Sequence, residues 1–237
     1  MSSCFRKFVL LSAVMILILS GCGKETGIPV QMDIPSQSSQ DIRFAVIDIR
    51  DYGKMRFRLL NEQAPNAVDA FIKLAQEGFY DEKPVYMLIN DYCMIAGADS
   101  ENSLNVSDDA ELTDKIYPLR GSLAFTRSVE NGQYSASDFT VIQTGPDFLN
   151  KLDELLKYKK VTLPEYLKQG YGNEIDEKTL EIFKEYGGAP WLYRHCVVFG
   201  QMTDGMEILD RICAVEVFDD AQFRPMEEIV IDSITIE

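Results

Sequence analysis

Apolar positions follow two rhythms along this chain, one with a period near two and one near 3.6. Val85, Met87 and Ile89 interleave with Tyr86 and Leu88 in a near-continuous apolar run, the pattern of a strand buried on both faces. Asn90-Asp91 is a turn pair, and Tyr92 to Ile95 reads as a second strand stopped by Gly97. Upstream, Phe44 to Ile49 and Met55 to Leu60 predict a hairpin about Asp51-Tyr52-Gly53-Lys54. Ala64-Pro65-Asn66 then opens a helix, with Pro65 where a missing N–H costs nothing. Val68, Phe71, Ile72 and Ala75 follow at helical spacing and Gly78 closes the segment. Near the end, the pattern predicts a helix over 207–215 and a closing strand over 229–236.

Between these elements the helical rhythm takes over. Phe148, Leu149, Leu152, Leu155 and Leu156 are spaced for a helix, with charged residues between them. Thr162-Leu163-Pro164-Glu165 has the form of a helix start. A third helix over Asp176–Tyr186 buries Leu180, Ile182 and Phe183 and ends at Gly187-Gly188. Residues 146–189 therefore read as a helical insertion within one domain, too small to build a core of its own. Residues 99–115 are polar and acidic and read as a long surface loop; they lack the glycine and terminal glutamate of an EF-hand, so calcium is not implied.

The N-terminus changes the picture. Arg6-Lys7 precedes a twelve-residue apolar run, Phe8 to Leu19, short for a bilayer span and built like a secretory signal peptide. It ends in Leu19-Ser20-Gly21-Cys22, which resembles the bacterial lipobox, in which the cysteine is acylated. The expected organisation is a lipoprotein signal peptide over 1–21, a lipidated Cys22 with a flexible Gly/Pro/Ser tether over 22–40, and one domain over 41–237. The protein is then extracytoplasmic and held to a bacterial membrane. A net charge of −15 argues against a nucleic-acid partner and against any hold on anionic lipid by the body itself. Of five cysteines, Cys4 leaves with the signal and Cys22 takes lipid, leaving Cys93, Cys196 and Cys213 without C-x-x-C spacing; neither a zinc site nor a thioredoxin-like motif is supported.

Set in order, these segments resemble the cyclophilins, the prolyl-peptide isomerases. The family's central hairpin reads Phe-His-Arg-Val-Ile, a two-residue turn, then Phe-Met-x-Gln-Gly-Gly-Asp; here Val85 to Asp99 occupies that frame. Arg120 to Phe125 resembles the strand Gly-x-Leu-x-Met-Ala, Ser137 to Ile142 stands where the family has Ser-Gln-Phe-Phe-Ile, and Trp191 to Gly200 rejoins it. The resemblance covers residues 43–145 and 189–237. It implies a mainly β fold with flanking helices: a closed eight-stranded antiparallel β-barrel carrying the helical insertion.

Turning an X–Pro bond means passing an amide-resonance barrier of about 18–20 kcal/mol. No cofactor, metal or nucleophile is needed. An apolar pocket for the ring and a donor aimed at the twisted amide suffice, because the donor favours the non-planar state. The resemblance places the family's donor arginine at Met87. Its pocket Phe and Met fall on Tyr92 and Cys93, its substrate-binding Gln on Ile95, its second pocket Phe on Thr140 and its pocket His on Cys196; only Leu192 and Trp191 are kept. Arg127, on the strand after Phe125, is a candidate to reach the groove, against the favoured reading of an exposed arginine in a solvated network, and His195, the single histidine, points the other way on alternate-residue geometry. Cys93 and Cys196 are expected to face one pocket, with Cys213 buried and free. No Gly-x-Ser-x-Gly accompanies that histidine, so a hydrolase triad is not supported. Two functions remain: an isomerase acting feebly on prolyl segments of extracytoplasmic proteins, or a cyclophilin-like module that binds them without turnover. A solute-binding lipoprotein would need two lobes and a longer chain.

Overall fold

The structure, a computed structural model, describes residues 42–98, 105–106, 111–112, 115–126, 134–219 and 222–237. The expected signal peptide, Cys22, the expected tether and Arg127 lie outside the described residues.

Eight strands make one antiparallel sheet in the order β10-β1-β2-β9-β6-β8-β4-β3. They are β1 (Phe44–Ile49), β2 (Gly53–Leu59), β3 (Val85–Ile89), β4 (Cys93–Gly97), β6 (Ser122–Thr126), β8 (Asp138–Ile142), β9 (Cys196–Asp204) and β10 (Ile231–Ile236). A short ribbon, β5 (Asn105–Val106) with β7 (Tyr134–Ser135), lies apart from it. The sheet is curled, and its edges β3 and β10 meet through backbone alone, not through a ladder. Pro84 bridges Val230, Val85 N–H donates to Ile229 O at 2.8 Å, and Ile231 N–H donates to Lys83 O at 2.9 Å.

Alternation decides what fills the curl. Leu88, Met94, Ala96, Leu123, Phe125, Phe139, Val141, Val197 and Phe199 all belong to the interior core. Phe71 packs there on Phe199 at 5.1 Å and on Phe139 at 5.9 Å between ring centroids. It is carried by α1 (Pro65–Gln76), which buries Val68, Ile72 and Ala75 beside it. Proline occupies the first turn as expected, yet Ala64 offers no side-chain cap. The cap comes instead from Glu111, whose carboxylate accepts from Asn66 N at 2.5 Å and Ala67 N at 3.0 Å. Glu111 is buried, so the acidic stretch 99–115 is not wholly a surface loop. A second helix, α5 (Met206–Cys213), adds Leu209 and Ile212 to the core and is tied down by Arg120, which donates to both carboxylate oxygens of Asp210 at 2.5 and 2.7 Å.

The insertion folds as three helices, α2 (Pro146–Tyr158), α3 (Leu163–Tyr171) and α4 (Glu177–Tyr186). Thr162 and Glu165 form a reciprocal capping box at α3, and Asp176 accepts from Thr179 N at 2.7 Å to start α4. These helices enclose an apolar cluster of Leu149, Leu156, Leu163, Leu167, Leu180 and Phe183. That cluster is completed from outside the insertion by Leu119 and Tyr193. The insertion thus shares a core with the barrel's flank. It rejoins the barrel at Gly188, whose φ is +122° and whose missing Cβ would stand 2.4 Å from Pro118 O, a position only glycine fills without strain.

Candidate functional site

Because the core claims one set of alternate residues, the other set faces outward. Strand register aligns them into a single row: Met87 pairs with Ile95, Ile95 with Thr140, Thr140 with Ala124, and Ala124 with Val198. The row crosses five strands; of the other hairpin residues, Cys93 lies two positions from Ile95 along β4, and Tyr92 stands in the turn before that strand. One detail differs from the expected alternation. A bulge between Val85 and Met87 lets Val85 face the core with Leu88, while Met87 and Ile89 face outward. Bulges re-aim side chains in this way. The bulged residue, Tyr86, donates its hydroxyl to Asp138.

The row is apolar but for one atom. Thr140 is 2% exposed, and its Oγ1 has no hydrogen-bond partner among the described residues. Towards β9 the outer face is filled from within, since Leu60 and Ile116 pack with Ala124, Cys196, Val198 and Leu192. Towards β3 it is more open: Met87 and Ile95 are half-buried. Tyr92, Trp191 and Leu192 are also half-buried. Trp191 and Leu192 sit in a 3-10 turn, Pro190–Leu192, closed by Leu192 N–H donating to Ala189 O at 2.8 Å. Trp191 meets Tyr92 edge to face at 5.2 Å. Burial pushes the Tyr92 hydroxyl's pKa well up, helped by nearby Cys93 and partly offset by a hydrogen bond from Trp191. His195 is exposed just beyond the turn, one residue before β9 begins.

Cys93 pairs with Ile89 and Ile142 on one side of the row, whereas Cys196 pairs with Thr126 on the other. They share a face of the sheet but flank the row from opposite sides. The hydroxyl of Tyr92 lies within electrostatic reach of both thiols. All three thiols are free and buried. Burial pushes Cys196 and Cys213 up to about 12 and Cys93 higher still, where Cys213 adds to the effect. None of the three is set up as a nucleophile, which needs a thiolate.

Two residues of the insertion reach the site without any signal in their spacing. Asn173, 5% exposed, donates its side-chain amide to Pro190 O at 3.1 Å and to Trp191 O at 2.9 Å. Tyr171 lies against Trp191 with ring centroids 6.3 Å apart.

Comparison with known proteins gives a consistent answer. Residues 44–236 match the family profile described as "Cyclophilin type peptidyl-prolyl cis-trans isomerase/CLD". A Staphylococcus epidermidis protein provisionally named a peptidyl-prolyl cis-trans isomerase is 28% identical over 205 residues, covering 84% of this chain and 94% of that one. A Staphylococcus aureus protein of the same provisional name is 30% identical over 192 residues, covering 78% and 87%. The fold is similar to a Cryptosporidium parvum cyclophilin-type isomerase, with a TM-score of 0.54, 19% identity, and 83% and 98% of the two chains covered. A structure of that protein determined in the presence of the dipeptide Ala-Pro matches equally well, at TM-score 0.54 and 20% identity, with 82% and 98% covered.

Proposed function

The chain belongs to the cyclophilin-type peptidyl-prolyl cis-trans isomerase family, and from that membership we propose a lipid-anchored, extracytoplasmic isomerase that binds prolyl segments of client proteins on its outward row and turns them slowly. The observation that carries the reading is the row itself, Met87–Ile95–Thr140, whose residues the family resemblance assigns to the groove and which holds neither arginine nor glutamine. Met87 is flexible and apolar, so it lines a proline-sized hollow yet donates nothing. Ile95 supplies no amide for the substrate backbone. The Thr140 hydroxyl is the one donor on the row, and it is sunk beneath the surface. Losing one preorganised donor costs about 10²–10³ in rate. The Ala-Pro dipeptide present with the Cryptosporidium protein supports prolyl dipeptides as the minimal ligand class. Lipid on Cys22 provides the membrane hold in this reading.

The test is the rate of cis-to-trans conversion of an Ala-Pro peptide, followed by magnetisation exchange. The expected outcome is a measurable acceleration well below that of a cyclophilin that keeps the arginine. A second reading, a binding module without turnover, is favoured by the same missing donors. It gains if the peptide shifts site resonances while the exchange rate stays at its uncatalysed value. Neither binding nor acceleration would overturn both.

A further inference from the structure

We propose that the helical insertion carries a second aromatic subsite, centred on Tyr171, that takes a proline or aromatic ring three residues away from a proline bound beside Tyr92. The proposal rests on the prolyl-binding reading above and names the client sequences that reading leaves open.

Three observations converge on it. The rings of Tyr92, Trp191 and Tyr171 form a continuous chain of contacts, with steps of 5.2 and 6.3 Å between centroids. Tyr171 also enters the electrostatic surroundings of the Tyr92 hydroxyl. Its outer side is open, with 45% of the residue exposed, while its inner side rests on Trp191 and on Tyr166 at 5.9 Å. The insertion is fastened to the site and does not merely lie near it. Asn173 holds the carbonyls of both Pro190 and Trp191, and Gly172, at φ +71°, turns the chain from α3 so that Asn173 reaches them. The hydroxyl of Tyr171 bonds with that of Tyr166, which raises its pKa and limits the ring's freedom.

The occupant follows from geometry. An extended polyproline II segment rises about 3.1 Å per residue with three residues per turn. Residues three apart therefore lie on one side of it, about 9 Å from each other. Steps of 5.2 and 6.3 Å through Trp191 set an upper bound on the Tyr92–Tyr171 separation that leaves room for that spacing. A proline near Tyr92 thus places the ring of a third-neighbour residue over Tyr171. Such segments already hold the bound conformation when free, and they dock on aromatic grooves for that reason.

Trp191 is the sole tryptophan in the chain, so its emission reports binding at the site directly. The experiment titrates the full chain with three alanine-based peptides: one with a single proline, and two with a second proline three residues before or after it. The expected result is that one of the two-proline peptides binds about three- to ten-fold more tightly than the single-proline peptide. Tyr171→Ala removes that gain, Tyr171→Phe keeps it, and neither changes affinity for the single-proline peptide. Equal affinities in the wild type, or a gain that survives Tyr171→Ala, would overturn the subsite while leaving the prolyl reading intact. If no peptide binds, the prolyl reading fails and the subsite with it. Loss of affinity for every peptide in Tyr171→Ala would show the ring to be scaffolding for Trp191, which also overturns the proposal.

Discussion

At residue scale, two side chains on one row set the chemistry. Met87 stands where a donor is expected and is half-buried facing outward, so Met87→Arg puts a guanidinium over the row without breaking the core. The expected outcome is a rise in kcat/KM of about ten-fold or more, part of the 10²–10³ such a donor is worth. Recovery stays incomplete because Ile95 still offers no amide. A wild type already as fast as an arginine-bearing cyclophilin would refute this and point to Arg127 as the donor. Thr140 carries the converse prediction. A buried hydroxyl without a partner costs about 1–3 kcal/mol, and replacing it by an apolar group of the same shape recovers part of that. Thr140→Val is therefore expected to raise the unfolding free energy by about 1 kcal/mol, read from the denaturant midpoint at unchanged slope. Destabilisation would mean that the hydroxyl is satisfied in solution. Met87 was legible as a departure from a motif. Thr140's isolation was not, because satisfaction of a hydroxyl depends on neighbours distant in sequence, here Ile95 and Ala124 on the adjacent strands.

At the scale of elements, the hydrophobic rhythm carried most of the fold. Period two marked the strands because one face of each is claimed by the core, and Thr-Leu-Pro-Glu marked α3 because its cap is local. What the pattern missed were partners distant in sequence. The bulge at Tyr86 is invisible where Val85, Met87 and Ile89 are all apolar, and Glu111 caps α1 across 45 residues. The insertion's ion pairs are of the same distant kind. Asp153 is buried and accepts from Lys184 at 2.6 Å, with Lys157 at 2.9 Å one turn along α2. Burial alone would raise its pKa, but the bonds to the two lysines outweigh it and hold the carboxyl below its ordinary value. A depressed folded-state pKa adds stability that is present above the unfolded value of about 3.9 and is lost as pH falls through the folded one. Asp153→Asn is expected to cost about 1–2 kcal/mol at neutral pH, at the low end for a charged bond because Lys184 still reaches water. It should also flatten the acid limb of the stability profile below pH 4. An unchanged acid limb would show that Asp153 titrates normally and the pairs contribute little.

At the scale of the whole molecule, an acidic body is proposed to work beside a membrane that repels it. The net charge of −15 includes Arg6 and Lys7, which a cleaved signal peptide takes away, so the mature body is more acidic still. No polybasic stretch is then available to assist a lipid anchor, and one acyl chain alone gives only marginal, reversible binding. Stable attachment through Cys22 therefore requires at least two chains on that residue. The expected outcome is that the protein sediments with membranes at both low and high salt, since the hold is not electrostatic. The mature N-terminal peptide should begin at Cys22 and carry the mass of two or more acyl groups, and Cys22→Ala should release the chain to the soluble fraction. A salt-releasable wild type, or a mature terminus that starts beyond Cys22, would refute the anchor and leave the isomerase-family domain as a freely diffusing protein.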